Sequence, residues 1–386
     1  SSGFNLRYAI THPTFKVDFL YQPGQHKVSF GGQMIDYQFQ PGELIPASGQ
    51  SIVRPVKMDT QRSQEWAAYL TDDFEIMQGL HLNAGLRVSW FRSIGPGTVY
   101  TYAPNEPRSP VTVQDSVVYG KGDEIAAYWA LEPRVGLRVD VAPGSAFKLG
   151  FNRMYQYLHL VTNTTAITPI DIWQPSGYYF KPQYADQLTL GFNRAFRDRK
   201  YEWIVEGYYK KMYNVLDFKD GAQLILNPRL ETDLLQGDGR AYGVEFQLSK
   251  LAGRLTGNVS YTFSRSFRTI SSVFPEEQIN DGKEYPSNFD QPHVVNLSWK
   301  YNLSRRIFFT GNFTYRTGRP ITLPVTAFSI ENFTVSAFSE RNEFRIPDYH
   351  RLDLAMVVEG SHKRKKCWDC TSPFSFYNVY GRTNPY

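Results

Sequence analysis

Leu80-His81-Leu82-Asn83-Ala84-Gly85-Leu86-Arg87-Val88-Ser89-Trp90 alternates between apolar and polar or small residues along its whole length. Leu80, Leu82, Ala84, Leu86, Val88 and Trp90 form one face, and His81, Asn83, Gly85, Arg87 and Ser89 form the other. A period of two sends successive side chains to opposite sides of a β-strand, whereas a helix would space its apolar residues by three and four. The same split recurs at Tyr242, Val244, Phe246 and Leu248, at Leu255, Val259, Tyr261 and Phe263, at Val295, Leu297, Trp299 and Tyr301, and at Ile307, Phe309, Phe313 and Tyr315. The helical period matches almost nowhere. These are strands with one oily and one wet face.

Tight turns at 23–25, 77–79, 142–145, 197–200, 251–253 and 303–305 alternate with long stretches at about 39–63, 94–124, 161–184, 219–239, 270–291 and 318–348 that are rich in Pro, Gly, Asn, Asp and Ser. Aromatic residues mark the strand ends, as at Trp90-Phe91, Tyr155, Tyr157, Tyr208-Tyr209, Tyr377 and Tyr380. Long alternating strands, short turns at one end, long loops at the other and aromatic borders describe an antiparallel transmembrane β-barrel of the outer-membrane kind. Lipid offers a backbone no hydrogen-bond partner, so a sheet persists there only when it closes on itself. A soluble propeller would also give many antiparallel strands, but no repeat of fixed length is present.

Composition agrees with this reading. The chain has 386 residues with 27 Phe, 26 Tyr and 7 Trp, far too much burial area for a disordered chain. Its longest apolar run, residues 125–131, is only a few residues, while a membrane helix needs roughly 20. The mean hydropathy of −0.42 averages an oily face, a wet face and long polar loops. Lysine and arginine exceed aspartate and glutamate by 42 − 37 = 5, thinly spread apart from a block at 362–366, which argues against nucleic acid as a partner. The start, Ser1-Ser2-Gly3-Phe4, shows no charged-then-apolar signal segment and no initiating Met, so the expectation is a chain that either has lost its export signal or is not the start of the gene product.

About fourteen strands in seven hairpins are expected, with the last turn at 362–373. Short turns face the periplasm in bacterial barrels. On that polarity the strand at about 374–386 runs outward, and the segment at 8–22 arrives at its turn as an inward strand. The expectation is that residues 1–386 are one partial barrel, without the N-terminal plug, the early strands or the last strand.

These segments resemble the C-terminal barrel of TonB-dependent outer-membrane receptors, in particular the Bacteroidetes type with a carboxypeptidase-regulatory-like N-terminal domain. The resemblance lies in Ser339-Glu340-Arg341-Asn342-Glu343-Phe344-Arg345-Ile346-Pro347-Asp348-Tyr349-His350-Arg351-Leu352-Asp353-Leu354, in Ser375-Phe376-Tyr377-Asn378-Val379-Tyr380 and the residues after it, and in Tyr155-Gln156-Tyr157-Leu158-His159-Leu160 leading to Asp171-Ile172-Trp173-Gln174-Pro175. Glu206-Gly207-Tyr208-Tyr209, Gly239-Arg240-Ala241-Tyr242-Gly243 and Arg316-Thr317-Gly318-Arg319-Pro320 add to it. The resemblance implies a barrel of 22 strands in the cell outer membrane. A plug closes it, TonB acts through that plug, and a scarce bulky nutrient is actively imported. Outer-membrane lipid surrounds the wall, and a surface lipoprotein is a further candidate partner. The plug and the TonB-contacting segment are not in this chain. The rival readings are a complete passive channel or adhesin-like barrel of about fourteen strands, and a secreted soluble β-rich binding protein.

No catalytic, cofactor or metal site is expected. Asp72-Asp73 fits a solvated strand end, the seven His residues never pair at ligand spacing, and no Gly-rich loop opens a helix. Cys367-Trp368-Asp369-Cys370 reads as a turn disulfide or two inert thiols. Lumen-facing polar residues such as Arg87, Glu206, Glu245, Asn258, Asn296, Arg316, Arg351 and Asp353 are expected mainly to pair with one another. The candidate substrate or plug contacts are Arg153, Gln156, His159, Asp171, Trp173 and Lys181, which lead from a strand's outer rim into a long loop.

Overall fold

The computed structural model describes residues 4–47, 54–162, 171–330, 333–360 and 370–385. Among the described residues fourteen wall strands follow one another in a single antiparallel meander. β1 is built of two segments, Phe4–Thr11 and Thr14–Tyr21, and β2 is His26–Pro46. Next come β3 (Gln61–Met77), β4 (Leu80–Ile94), β5 (Glu124–Ala142), β6 (Ser145–Gln156), β7 (Gln183–Phe196) and β8 (Tyr201–Phe218). The remainder are β9 (Leu234–Lys250), β10 (Leu255–Thr269), β11 (His293–Asn302), β12 (Ile307–Arg316), β13 (Tyr349–Glu359) and β14 (Thr371–Phe376). Each pairs with its sequence neighbour. Among the described residues no ladder joins β1 to β14, and the helical structure is limited to three short 3-10 turns.

The two faces are inverted relative to a water-soluble sheet. On the outward face Trp129 is 71% exposed and Leu190 59%, while on the inward face Glu132 is 5% and Ser89 1% exposed. Such a wall suits hydrocarbon outside and polar contacts inside. Aromatic rings border the apolar band. Tyr155, Tyr184 and Tyr213 stack across three strands at the loop end, with centroids 5.1 and 4.4 Å apart. Phe147, Phe192 and Trp203 form the corresponding row near the turns.

The six expected tight turns from 23–25 to 303–305 are found where the sequence places them, the expected last turn at 362–373 lies mostly outside the described residues, and the long connections hold more structure than expected. Residues 97–102 pair with 113–119, 158–162 with 171–175, and 324–330 with 333–338, each as an antiparallel hairpin above the wall. A loop over the mouth buries backbone groups, and pairing them in a ladder satisfies them without water. The apolar cores sit here too. Val161, Phe180, Leu216, Phe218, Leu224 and Leu234 make one cluster, and Leu235, Ile270, Ile279 and Tyr285 another. Burying each such side chain stabilises by about 1.5–3 kcal/mol.

The last strand differs from the expected 374–386. β14 begins at Thr371 and ends at Phe376. Asn378 then takes a left-handed conformation, φ 50°, and its N–H donates to Asp353 Oδ1 at 2.9 Å. The Val379 N–H donates to the Leu352 carbonyl and the His350 N–H to Asn384 Oδ1, so irregular bonds to β13, two of them made by side chains, replace the ladder.

Candidate functional site

The inward face of β3, β4 and β5 carries a closed polar network. Arg87 and Glu132 are directly opposite across β4 and β5. The Arg87 guanidinium lies 2.9 Å from Glu65 and 3.3 Å from Glu132. Tyr37 donates to Glu65 at 3.1 Å, and Ser89 donates to Glu132 at 3.1 Å. The hydroxyl of Tyr157 completes the set, 2.7 Å from Ser89 Oγ, with its ring stacked on Phe91 at 4.7 Å. Tyr157 thus leaves the alternation of β6 and turns inward. The wall network fixes the root of the hairpin formed by residues 158–162 and 171–175.

His159 lies in that hairpin, 2% exposed. Its Nε2 is 3.0 Å from Ser176 Oγ, while Nδ1 has no partner among the described residues. Burial pushes its pKa down to about 4, so the ring is neutral at pH 7. Beside the hairpin, a crevice of about 300 Å³ is lined by Trp173, Tyr178, Tyr179, Tyr100, Leu224 and Glu231. The Tyr179 hydroxyl donates to the carbonyl of Tyr100 and accepts its N–H at 2.7 Å. Tyr102 donates to Glu231 at 2.7 Å, and the Arg229 guanidinium sits 4.9 Å from the centre of the Tyr100 ring. Aromatic rings interleaved with Lys57, Asp59, Arg62 and Glu231 suit a solute that carries both apolar and charged or polar parts.

A second construction ties the loops over β8 to β13 together. Asp217 is buried and accepts from Arg268 at 3.0 Å, Arg341 at 3.0 Å, Tyr285 at 2.8 Å and the Phe218 N–H at 2.9 Å. Arg341 also reaches Asp220 at 2.6 Å and covers the Phe218 ring at 4.2 Å. Burial opposes the charge on Asp217, but the Arg268 and Arg341 guanidiniums outweigh it and hold the carboxyl below the usual range. The Tyr285 phenol is driven upward by its burial and by that carboxylate. Further down the wall, Asn296, Asn312, Arg316, Arg319, Arg351 and Asp353 line an open lumenal recess of about 700 Å³.

The six candidate contacts do not converge. Trp173 lines the crevice and His159 is buried behind it. Arg153 stays on the outward face, where it binds Asp186 at 2.6 and 2.7 Å and sits 5.4 Å from the Tyr184 ring centre. Gln156 donates to the Leu158 carbonyl at 2.6 Å. Lys181 is exposed, and its backbone exchanges hydrogen bonds with the Gln236 side chain. Asp171 stands opposite Thr162 in the hairpin ladder. Cys370 is exposed, and Cys367, its expected partner, lies outside the described residues. Among the described residues no three His, Cys, Asp or Glu are grouped to hold a metal. Tyr100, Tyr102 and the Tyr178-Tyr179-Phe180 run were missed as site residues. Aromatic clustering inside otherwise polar loops is the signal that marks them.

No curated protein matches this chain in sequence. Solved structures share the fold at low identity. The ferripyoverdine receptor of the outer membrane of Pseudomonas aeruginosa, bound to ferripyoverdine, aligns with a TM-score of 0.60 at 12% identity, over 99% of this chain and 46% of that one. The ferric-catecholate import receptor Fiu from E. coli K12 gives 0.58 at 14%, over 98% and 51%. The FrpB iron transporter from Neisseria meningitidis gives 0.60 at 11%, over 97% and 51%. This chain therefore spans about half the length of the structures it resembles. The family model described as "TonB dependent receptor-like, beta-barrel" matches residues 2–372. A wall inverted for lipid, a polar lumen and that match over nearly every residue place the chain in the outer membrane, as a member of the TonB-dependent receptor β-barrel family.

Proposed function

We propose that this chain is the wall of an active importer that takes a scarce, bulky solute across the outer membrane without covalent chemistry. In this reading the wall belongs to a barrel of 22 strands closed by an N-terminal plug, and TonB supplies force through the plug. The Bacteroidetes type with a carboxypeptidase-regulatory-like N-terminal domain is the form proposed, with a surface lipoprotein as a further partner. The observation that carries the reading is the coupling of an aromatic crevice in the loops to the Arg87, Glu65 and Glu132 network through Tyr157, whose carbonyl accepts the N–H of Ser176 in the crevice lining at 2.7 Å. A solute held by the loops then has a mechanical path into the lumen wall. The three similar structures named above are described as receptors or transporters of ferripyoverdine, ferric catecholates or iron, so a ferric chelate is the first solute to try.

The test is uptake of radiolabelled ferric chelates by cells making the full-length protein, with and without TonB. Active import predicts that uptake vanishes when TonB is deleted. Uptake that persists at the same rate would establish a passive channel and defeat the proposal.

A further inference from the structure

The turns at the periplasmic end divide into two unlike arcs. The turns at 23–25, 78–79 and 143–144 contain no Lys or Arg; beside them His26 pairs with Asp72 at 2.7 Å and Arg138 with Asp140 at 2.9 Å, and the exposed Lys27 stands opposite Asp73 in the β2–β3 ladder. The next three turns are basic. Arg197, Arg199 and Lys200 stand on the β7–β8 turn, Lys250 and Arg254 flank the β9–β10 turn, and Arg305 stands on the β11–β12 turn. None of the six makes an ion pair with a described residue, and the described acids of that rim are Asp198, Glu202 and Glu359. Arg194, exposed on the outward face one turn's depth into β7, extends the charge toward the lipid side.

Apolar side chains are set among these cations. Leu251 is 59% and Leu303 53% exposed at the turn tips. The ring of Tyr201 has the Arg197 guanidinium and the Lys250 ammonium each 5.7 Å from its centre. Exposed leucines beside cations that form no ion pair among the described residues fit a membrane border, where the apolar groups enter the acyl boundary and long basic side chains reach the headgroups. A purely aqueous acidic partner would leave the leucines without a function.

We infer that the β7–β12 arc is a docking edge for anionic phospholipid headgroups in the periplasm-facing leaflet, with the phosphate held among Arg197, Arg199, Lys250 and Arg254. Each Lys or Arg near an anionic surface contributes about 1 kcal/mol, which is roughly fivefold in retention. The inference rests on the barrel's orientation and is independent of what the protein imports.

The experiment places the full-length protein in nanodiscs of mixed phosphatidylglycerol and phosphatidylcholine and counts retained lipids by native mass spectrometry. The expected result is a preference for phosphatidylglycerol of at least about tenfold at low salt, erased at high salt. The combined Arg197→Ser, Arg199→Ser, Lys250→Ser and Arg254→Ser variant should lose it, while the Arg197→Lys, Arg199→Lys and Arg254→Lys variant keeps it. Equal retention of the two lipids by the unmodified protein overturns the inference without reliance on any variant. So does a preference that survives in the serine variant, given that its heat-dependent gel mobility shows a folded barrel. Binding of soluble polyglutamate without a lipid preference would assign the edge to an acidic protein and overturn it as well.

Discussion

Arg341 donates to Asp217 at 3.0 Å across 124 residues of sequence, and both side chains are buried. The pair locks the connection between β12 and β13 onto the end of β8, with Arg268 and Tyr285 from two further segments bonded to the same carboxylate. Removing Arg341 leaves the buried carboxylate with Arg268, Tyr285 and the Phe218 N–H, one charged partner short. Arg341→Met is expected to cost about 1–3 kcal/mol of local stability. Amide exchange should accelerate in residues 270–292 and 339–346 while the spanning strands stay protected. The Arg341→Met and Asp217→Leu double variant should lose less than the sum of the two single changes.

His159 makes the hairpin at 158–175 sensitive to acid. Its folded pKa of about 4 lies below the ordinary value of 6.5, so the unfolded hairpin binds more protons between those values. Stability is complete above pH 6.5 and falls as pH drops toward 4, by about 3 kcal/mol in all. Amide exchange at residues 158–161 and 172–175 should speed up over that window. His159→Phe should remove this pH dependence, and an unchanged pH profile in that variant would assign it to another group.

Trp299 lies across Gly311 on the outward face, directly opposite it in the β11–β12 ladder. A Cβ at position 311 would stand 2.5 Å from the indole, so the glycine is what gives the ring its place. Gly311→Val is expected to push Trp299 off the sheet and cost about 1–3 kcal/mol, read from the urea midpoint of the barrel in detergent. Adding Trp299→Ala should recover part of the loss.

Arg197, Asp198 and Arg199 all have positive φ, 51°, 56° and 61°. Two successive left-handed residues match the twist of a tight hairpin, but side chains other than Gly, Asn or Asp adopt them at a cost. Asp198→Asn with Arg199→Gly is expected to raise barrel stability by about 1 kcal/mol. A lowered urea midpoint would contradict the strain argument.

The wall is legible in the residues alone. Alternation of Leu86 against Arg87, or of Val244 against Glu245, is a local property of the strand, and lipid on one side of a sheet makes that alternation obligatory. The positions of the tight turns and the count of fourteen strands follow from the same local rule. Where the alternation stops, side-chain partners come from distant segments. Tyr157 continues the sequence of β6, but β5 and β6 part company beyond the Asn152 to Arg134 pair, and the ring swings to Phe91 and Ser89 on β4. Asp217 selects Arg341 from among many arginines because the loops that carry them meet above the mouth. Residues after Phe376 leave the ladder because Asn378 finds Asp353. Periodicity records which way a side chain points. Its partner depends on how distant segments pack, and only the tertiary structure decides that.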